Sequence, residues 1–182
     1  MVSHSGLLTV MERAVRKAGS KLRRDFGEVE HLQVSRKGPA DFVSKADKQC
    51  EQTLVEELRK ARPDWGFLLE EGGVIEGDPN KPRWIIDPLD GTTNFLHGIP
   101  HFAISIAVEE PLYGGKKEIT TGLVYQPVTD ESYWAEKSRG AWRHDQRLRV
   151  SARGDLGECL IATGIAFMGH GDFAQWTRVF GA

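Results

Sequence analysis

The most constraining feature of this sequence is an apolar run that ends in an acidic turn containing glycine. Residues 84–86 are Trp-Ile-Ile, and residues 87–94 are Asp-Pro-Leu-Asp-Gly-Thr-Thr-Asn. The apolar run favours a buried strand, Pro88 is expected to end it, and Gly91 frees the backbone so that a helix can begin with unpaired N–H groups. Carboxylates at a strand end suit Mg²⁺, which shares its coordination with substrate phosphate. A metal-binding turn is therefore predicted, and an acidic turn with Asp90 as a helix N-cap is the alternative.

Composition places the chain among ordinary folded proteins. It is 40% hydrophobic and 27% charged, with a formal net charge of −2. Its length of 182 residues predicts about one domain, or one domain and the beginning of another. No apolar run reaches the roughly 18 residues that cross a bilayer, and the N-terminus lacks a secretory signal. Two cysteines, Cys50 and Cys159, are too few for a disulfide framework. We expect a cytoplasmic protein with buried thiols, no membrane association and no general attraction for nucleic acid.

Apolar periodicity predicts two helices followed by several strands. Apolar residues at three-and-four spacing run from Leu7 to Phe26, and a second helix is expected to begin near Ser44 and stop at Arg62. Strands are expected at 65–69, 84–86, 102–108, 122–125 and 132–135, with a turn at 127–130. Helices first and then strands joined by short turns favour an α+β layer structure with mostly antiparallel neighbours over an alternating doubly wound sheet.

The last segment of the sequence contains a predicted strand at 160–162 and the start of a helix. Phe173, Trp176 and Phe180 lie on one side of that helix. An apolar helical face needs a packing partner, and none follows it in the sequence. We therefore expect the sequence to be the front part of a longer protein. The predicted division is an N-terminal α+β metal-binding domain at 1–150 and the beginning of a truncated C-terminal α/β domain at 151–182.

Three acidic positions along the chain point to one site. Asp47 lies near the start of the second helix, Glu70 ends one strand, and Asp87 and Asp90 end another. If the two strands are neighbours, these carboxylates meet and repel one another unless cations lie between them, and Mg²⁺ is the expected occupant. Each position also has a structural alternative: Asp47 completes a capping box with Ser44, and Glu70 belongs to a solvated strand end. Taken together, the positions favour a metal site.

Three motifs occur in order at 41–47, 69–72 and 84–95. They read Asp-Phe-Val-Ser-Lys-Ala-Asp, Leu-Glu-Glu-Gly and Trp-Ile-Ile-Asp-Pro-Leu-Asp-Gly-Thr-Thr-Asn-Phe. In this order they resemble the signatures of the inositol monophosphatase family, most closely its bacterial, extragenic-suppressor type. The resemblance extends to 101–105 and 125–127 and so covers nearly the whole chain. It implies the layered α/β/α/β/α sugar-phosphatase fold, with two helices on a mostly antiparallel sheet in this part.

The resemblance also implies a set of metal ligands. Glu70, Asp87 and the backbone carbonyl of Leu89 would hold one Mg²⁺, and Asp87 and Asp90 would hold a second. Glu70 would contact a third, weaker ion through water. Family members complete the second ion site with the aspartate of a Trp-Asp-x-Ala-Ala-Gly-like motif in a following α/β portion, and nothing like that motif occurs in these 182 residues.

Catalytic and substrate-binding residues follow from the same resemblance. Thr92, hydrogen-bonded to Asp47, would orient the attacking water and accept part of its proton. Glu70 would be the third catalytic residue, because it would hold metal ions. The N–H groups of Gly91 and Thr92 would bind phosphate oxygens at a helix N-terminus, with Asp90 beside them.

The implied activity is Mg²⁺-dependent hydrolysis of myo-inositol monophosphate to inositol and phosphate by metal-activated water, with lithium sensitivity and a homodimer. Phosphatases for fructose 1,6-bisphosphate, histidinol phosphate and adenosine 3′,5′-bisphosphate share the metal motif, so these substrates remain alternatives. The extragenic-suppressor resemblance adds another alternative, a regulatory binding protein of the transcription and ribosomal-RNA machinery that contacts RNA polymerase or its elongation factors.

Overall fold

The computed structural model describes residues 4–32, 39–162 and 172–181, and the chain divides into two compact units, Met1–Arg149 and Val150–Ala182. The first unit begins with helices α1 (Gly6–Leu32) and α2 (Pro39–Ala61). Both predicted helices are confirmed, although α2 begins five residues before Ser44, at a proline whose fixed φ suits a first helical turn. Apolar side chains at helical spacing are buried on both helices: Leu8, Met11, Val15, Ala18 and Leu22 on α1, and Val43, Ala46, Cys50, Leu54 and Leu58 on α2.

Eight strands follow and form one sheet in the order β2-β1-β3-β4-β5-β6-β7-β8. Only β1 and β3 pair in parallel among these strands; all the other neighbours are antiparallel, so the mostly antiparallel α+β sheet is confirmed. The strands are β1 (Gly66–Leu69), β2 (Gly73–Ile75), β3 (Arg83–Asp90), β4 (Ala103–Pro111), β5 (Lys117–Gln126), β6 (Glu131–Glu136), β7 (Gly140–Arg143) and β8 (Gln146–Arg147). A five-residue helix, α3 (Thr92–Leu96), links β3 to β4.

One face of the central strands packs against the two helices. Alternate residues of β3 and β4 are buried while those between them are partly exposed, as expected for a sheet covered on one side. The buried set from these and the next strands is Trp84, Ile86, Ile104, Ile106, Val108, Leu123, Tyr125 and Trp134. The helices therefore form a layer over β3, β4 and β5, and the edge of the sheet where β1 and β3 end remains accessible.

The prediction that Pro88 ends its strand is wrong. β3 continues to Asp90, and its pairing with β4 shifts register between Asp87 and Asp90. A proline has no N–H to donate to a ladder, so it is tolerated inside a strand at such an irregularity. The irregular pairing thus changes the direction of the backbone at Asp87–Asp90, the residues that were predicted to bind a metal.

The second unit contains α4 (Phe173–Phe180), which confirms the predicted helix. The predicted strand at 160–162 is wrong: these residues form no strand, and Leu160 and Ile161 are 94% and 70% exposed. β-propensity alone does not form a strand without a pairing neighbour. Cys159 is exposed, contrary to prediction, whereas Cys50 is buried as predicted.

A search of residues 4–32, 39–162 and 172–181 finds no helix that combines the length and the apolar character needed to cross a membrane.

Candidate active site

The parallel pairing of β1 and β3 brings two acidic strand ends to one edge of the sheet. Leu69, the last residue of β1, pairs with Ile86 of β3, so Glu70 follows beside Asp87. Burial, together with a hydrogen bond and charge repulsion from Glu70, raises the pKa of Asp87 to about 7. Oδ1 of Asp87 also accepts the N–H of Leu89 at 3.1 Å, which fixes the turn around Pro88. The predicted meeting of Glu70 with Asp87 is thus present in the structure.

Asp47 approaches the same site from α2. Only 4% of its surface is exposed, and its Oδ1 has no hydrogen-bond partner among the residues that the structure describes. Burial raises the pKa of Asp47 to about 7, and repulsion from Glu71, Glu70 and other nearby carboxylates acts in the same direction. A buried carboxylate oxygen without a partner is costly, and a cation or a donor would relieve that cost.

The capping-box alternative for Asp47 is wrong. Ser44 lies inside α2, five residues after the helix begins at Pro39, so it is not the residue that caps the helix. Asp47 therefore lies in the third turn of the helix, where its carboxylate caps no N-terminal N–H group.

The segment after β3 turns sharply into α3. Gly91 has φ 91° and ψ 34°, the left-handed region, and a Cβ at this position would lie 2.9 Å from the carbonyl oxygen of His101. Glycine is therefore required both by the backbone conformation and by the close approach of His101 and Phe102, which precede β4. The Gly91 carbonyl accepts the N–H of Phe95 at 3.0 Å and so closes the first helical turn. The predicted glycine-to-helix turn is present.

Thr92 is bonded differently from the sequence prediction. Its hydroxyl donates to the carbonyl oxygen of Leu89 at 2.9 Å and not to Asp47. A threonine in the first turn of a helix readily reaches a nearby backbone carbonyl, and this local bond competes with a longer-range one. The structure thus places Thr92 next to Leu89, a predicted metal ligand.

Asp90 lies at an exposed position at the end of β3, beside an open cavity of about 530 Å³. The size is that of a small-molecule pocket. Besides Asp90 and Gly91, its lining consists of Asn94, His101, Phe102, Ala103, Val124, Gln126 and Tyr133. The amide of Asn94 donates to the carbonyl of His101 at 2.7 Å, which ties α3 to the start of β4. The sequence motifs contain Asn94 and Gln126 but did not identify them as residues that line the cavity, because that depends on which segments are neighbours in the fold.

Two further residues of α2 were not predicted as part of the site. The Cys50 thiol donates to the carbonyl of Pro88 at 3.3 Å, and the buried Glu51 accepts the N–H of Glu71 at 3.1 Å. Both lie three or four positions after Asp47 and so share its helix face. That spacing was the available signal.

The residues fit a Mg²⁺ ion by donor type and charge. Within the described ranges, no three His, Cys, Asp or Glu side chains are arranged as a ready-made metal cage. Mg²⁺ is commonly held by one or two carboxylates, with water and substrate phosphate completing its shell, so such a cage is not required. The contact between Glu70 and Asp87 and the unpartnered Oδ1 of Asp47 supply oxygen donors and excess negative charge at one place.

Comparisons with known proteins identify the relatives of this chain. The model of the Inositol monophosphatase family matches residues 4–180. A Rhizobium meliloti protein named inositol-1-monophosphatase is 54% identical over 175 residues, which are 96% of this chain and 64% of that protein. A Vibrio cholerae protein named Nus factor SuhB is 41% identical over 161 residues, covering 88% of this chain and 58% of its own length.

Solved structures extend the comparison to three dimensions. The crystal structure of extragenic suppressor protein suhB from Bartonella henselae superposes with a TM-score of 0.72 at 48% identity. The match covers 85% of this chain and 58% of that one. This chain therefore spans about two thirds or less of the length of the relatives that it matches.

Proposed function

Because the chain belongs to the inositol monophosphatase family, we propose that the protein is a Mg²⁺-dependent phosphomonoesterase that hydrolyses myo-inositol monophosphate to inositol and phosphate. The name of the Rhizobium meliloti relative supports this substrate. The observation that carries the proposal is the contact between Glu70 and Asp87 at the ends of β1 and β3, with the buried Asp47 near enough for both to repel its charge. The proposal places this chemistry in the domain at 1–150.

The proposed ligands of two or three Mg²⁺ ions are Glu70, Asp87, the carbonyl oxygen of Leu89, and Asp90. All are hard oxygen donors, which Mg²⁺ prefers over nitrogen and sulfur. Bound Mg²⁺ would supply charge stabilisation for the phosphoryl group and a more acidic water. Asp87 supports this assignment because its Oδ1 already accepts the N–H of Leu89, which keeps both donors in one turn.

The proposed catalytic residues are Thr92, Asp47 and Glu70. Thr92 reaches the proposed ion site through its bond to the Leu89 carbonyl, and Asp47 has a buried Oδ1 that bonds to no described residue. In the proposal, these residues orient the attacking water and accept its proton. Without bound ions, burial and the neighbouring carboxylates raise the pKa of Asp47 to about 7.

The proposed substrate contacts are Asp90 and the N–H groups of Gly91 and Thr92. Asp90 and Gly91 line the cavity of about 530 Å³, which supports their assignment, since a sugar-sized phosphate ester fits such a volume. Positioning and electrostatics are then the main contributions of the chain to phosphoryl transfer, as in other phosphoryl-transfer enzymes.

Phosphate release from myo-inositol monophosphate tests the proposed function. We expect release to require Mg²⁺ and to be inhibited by lithium. Asp90→Asn should abolish it, because an amide removes the negative charge at the site. Asp145→Asn is the matched control, since Asp145 is an exposed aspartate in the turn between β7 and β8. Turnover by Asp90→Asn at the rate of Asp145→Asn would contradict the proposal.

The same assay decides among substrates. Fructose 1,6-bisphosphate, histidinol phosphate and adenosine 3′,5′-bisphosphate should each give a lower kcat/KM than myo-inositol monophosphate. A higher value for one of them would replace the proposed substrate while leaving the metal site in place.

A regulatory binding role is the second proposed function, supported by the similarity to the Vibrio cholerae protein named Nus factor SuhB. The proposed partners are RNA polymerase or its elongation factors. Specific retention of these proteins on the immobilised chain is expected, and the absence of such retention would remove this role. A homodimer is also proposed, and sedimentation showing only monomer at micromolar concentration would contradict it.

A further inference from the structure

Glu51 is a buried carboxylate that the proposed reaction does not use. It lies on α2 with 7% of its surface exposed, four residues after Asp47 and on the same face. Its Oε2 accepts the N–H of Glu71 at 3.1 Å, in the turn that joins β1 to β2. Glu51 thus connects the helix to the backbone next to Glu70.

The turn is packed closely against this carboxylate. A Cβ built on Gly72 would lie 2.9 Å from Oε1 of Glu51 and 2.9 Å from Cδ1 of Leu69. Contacts this short are almost never seen for a real Cβ, so a side chain at residue 72 would require the Glu51 carboxylate and the Leu69 side chain to shift. One oxygen of Glu51 therefore holds the Glu71 N–H while the other lies against Gly72.

Glu51 lies close to other carboxylates of the site. Burial raises the pKa of Asp47, and charge repulsion from Glu71, Glu70, Asp87 and Glu51 acts in the same direction. Burying a carboxylate costs free energy unless hydrogen bonds compensate for the water that it loses. The bond to the Glu71 N–H is such an interaction, and it acts on the residue that follows Glu70.

We propose that Glu51 is a positioning residue that fixes the turn at Glu70–Gly72 and thereby holds Glu70 beside Asp87. Its part in ion binding rests on the proposed function, whereas its hold on the turn does not. Hydrogen-bond acceptance and side-chain shape, more than charge, are the properties that the position requires. Residues that orient metal ligands in this way commonly change metal affinity by about 10- to 100-fold when replaced.

Two substitutions of Glu51 separate these properties. Glu51→Gln keeps an acceptor oxygen and loses the charge, whereas Glu51→Leu keeps similar bulk and loses the acceptor. Amide hydrogen exchange at Glu71, without any metal, should be about tenfold faster in Glu51→Leu and close to wild type in Glu51→Gln. Calorimetric titration with Mg²⁺ should show an affinity about 10- to 100-fold weaker for Glu51→Leu, with Glu51→Gln near wild type.

Glu56→Leu is the matched control, because Glu56 is an exposed glutamate on the same helix. It should change neither measurement. Gly72→Ala provides a second route if Glu51→Leu does not fold: its methyl group displaces the Glu51 carboxylate while the glutamate remains, so Glu71 exchange should again accelerate.

Unchanged Glu71 exchange in the folded Glu51→Leu protein, or in Gly72→Ala if Glu51→Leu does not fold, would overturn the inference. Equal acceleration by Glu51→Gln and Glu51→Leu would also overturn it, since the charge would then be the essential property. If the wild-type protein binds no Mg²⁺, the proposed function fails, and the exchange rates still decide whether Glu51 holds the turn.

Discussion

At the residue scale, the edge of the sheet where β1 and β3 end concentrates negative charge that the protein without metal must tolerate. Asp47 and Asp87 both have a pKa raised to about 7, in each case chiefly by burial. In an unfolded chain the same groups titrate near 3.9. The native state without metal therefore binds protons at pH values where the unfolded state has released them.

The first prediction is a pH dependence of stability in chelated protein. The pKa of both aspartates is raised on folding, so stability is lost as pH rises from about 4 through about 7. The thermal unfolding midpoint should decrease as the pH is raised from 5 to 8. Added Mg²⁺ should restore it at pH 8 because the ion binds the native state. Asp47→Asn should flatten the profile, whereas Asp145→Asn should keep it. A midpoint that rises with pH in chelated protein would contradict the prediction.

The two cysteines give a second prediction, because one is buried and the other exposed. The Cys50 thiol donates to the Pro88 carbonyl, so Cys50→Ala removes a hydrogen bond and leaves a small void. We expect the free energy of unfolding to fall by about 1–2 kcal/mol, measured by urea titration. Cys159→Ala, the matched control, should change it by less than about 0.5 kcal/mol.

Thiol labelling checks the same pair independently. Burial raises the pKa of the Cys50 thiol, so little reactive thiolate forms. In the native protein, a thiol reagent should label Cys159 and leave Cys50 unmodified. Equal labelling of both would contradict the burial of Cys50.

Much of the site could be predicted residue by residue, because the motifs contain the side chains that carry the chemistry. Glu70 and Asp87 were predicted to meet and do so. Glu51 was missed although it lies four residues after Asp47 on the same helix face, because the sequence does not show that its bond is to the backbone of a turn. The hydroxyl of Thr92 was assigned the wrong acceptor, since the choice between Leu89 and Asp47 depends on distances that the sequence does not contain.

At the scale of elements, α3 depends on packing for its existence. Five residues are too few for a helix to be stable alone in water. Phe95 of α3 is fully buried, and its ring lies 5.5 Å from that of Phe26 on α1 and 4.9 Å from that of Phe102. These contacts fix the segment that begins with the predicted substrate-binding residues.

The third prediction concerns this aromatic cluster. Phe95→Ala should lower the free energy of unfolding by about 3–5 kcal/mol, measured by urea titration. Phe95→Leu, which keeps most of the apolar volume, should cost less than half as much. A loss below about 1 kcal/mol for Phe95→Ala would show that α3 is held by other contacts.

The elements differ in how far sequence could predict them. The long helices were predicted because apolar residues recur over many turns. Short strands such as β2, β7 and β8 were missed, since three, four and two residues are too few to show an alternating pattern. Pro88 was wrongly taken as a strand end because the irregular pairing between β3 and β4, which accommodates it, is a property of the neighbouring strand.

At the scale of the whole molecule, one parallel strand pair determines where the acidic groups meet. The chain passes from β1 through the β2 hairpin and returns in β3 alongside β1, so the C-terminal ends of β1 and β3 lie at the same edge. The motifs predicted that the acidic groups at these ends meet only if the two strands are neighbours, and the sequence does not show which strands are neighbours. In the structure β1 and β3 are parallel neighbours.

Calorimetric titration of chelated protein with Mg²⁺ shows whether the carboxylates at the ends of β1 and β3 bind the ion. We predict saturable binding with proton release near pH 7, because the ion displaces protons from carboxyl groups of raised pKa. Buffers of different ionisation enthalpy should then give different apparent enthalpies. Asp87→Asn should abolish binding, and Asp145→Asn should leave it unchanged. The absence of saturable binding in the wild-type protein, or undiminished binding by Asp87→Asn, would contradict the account.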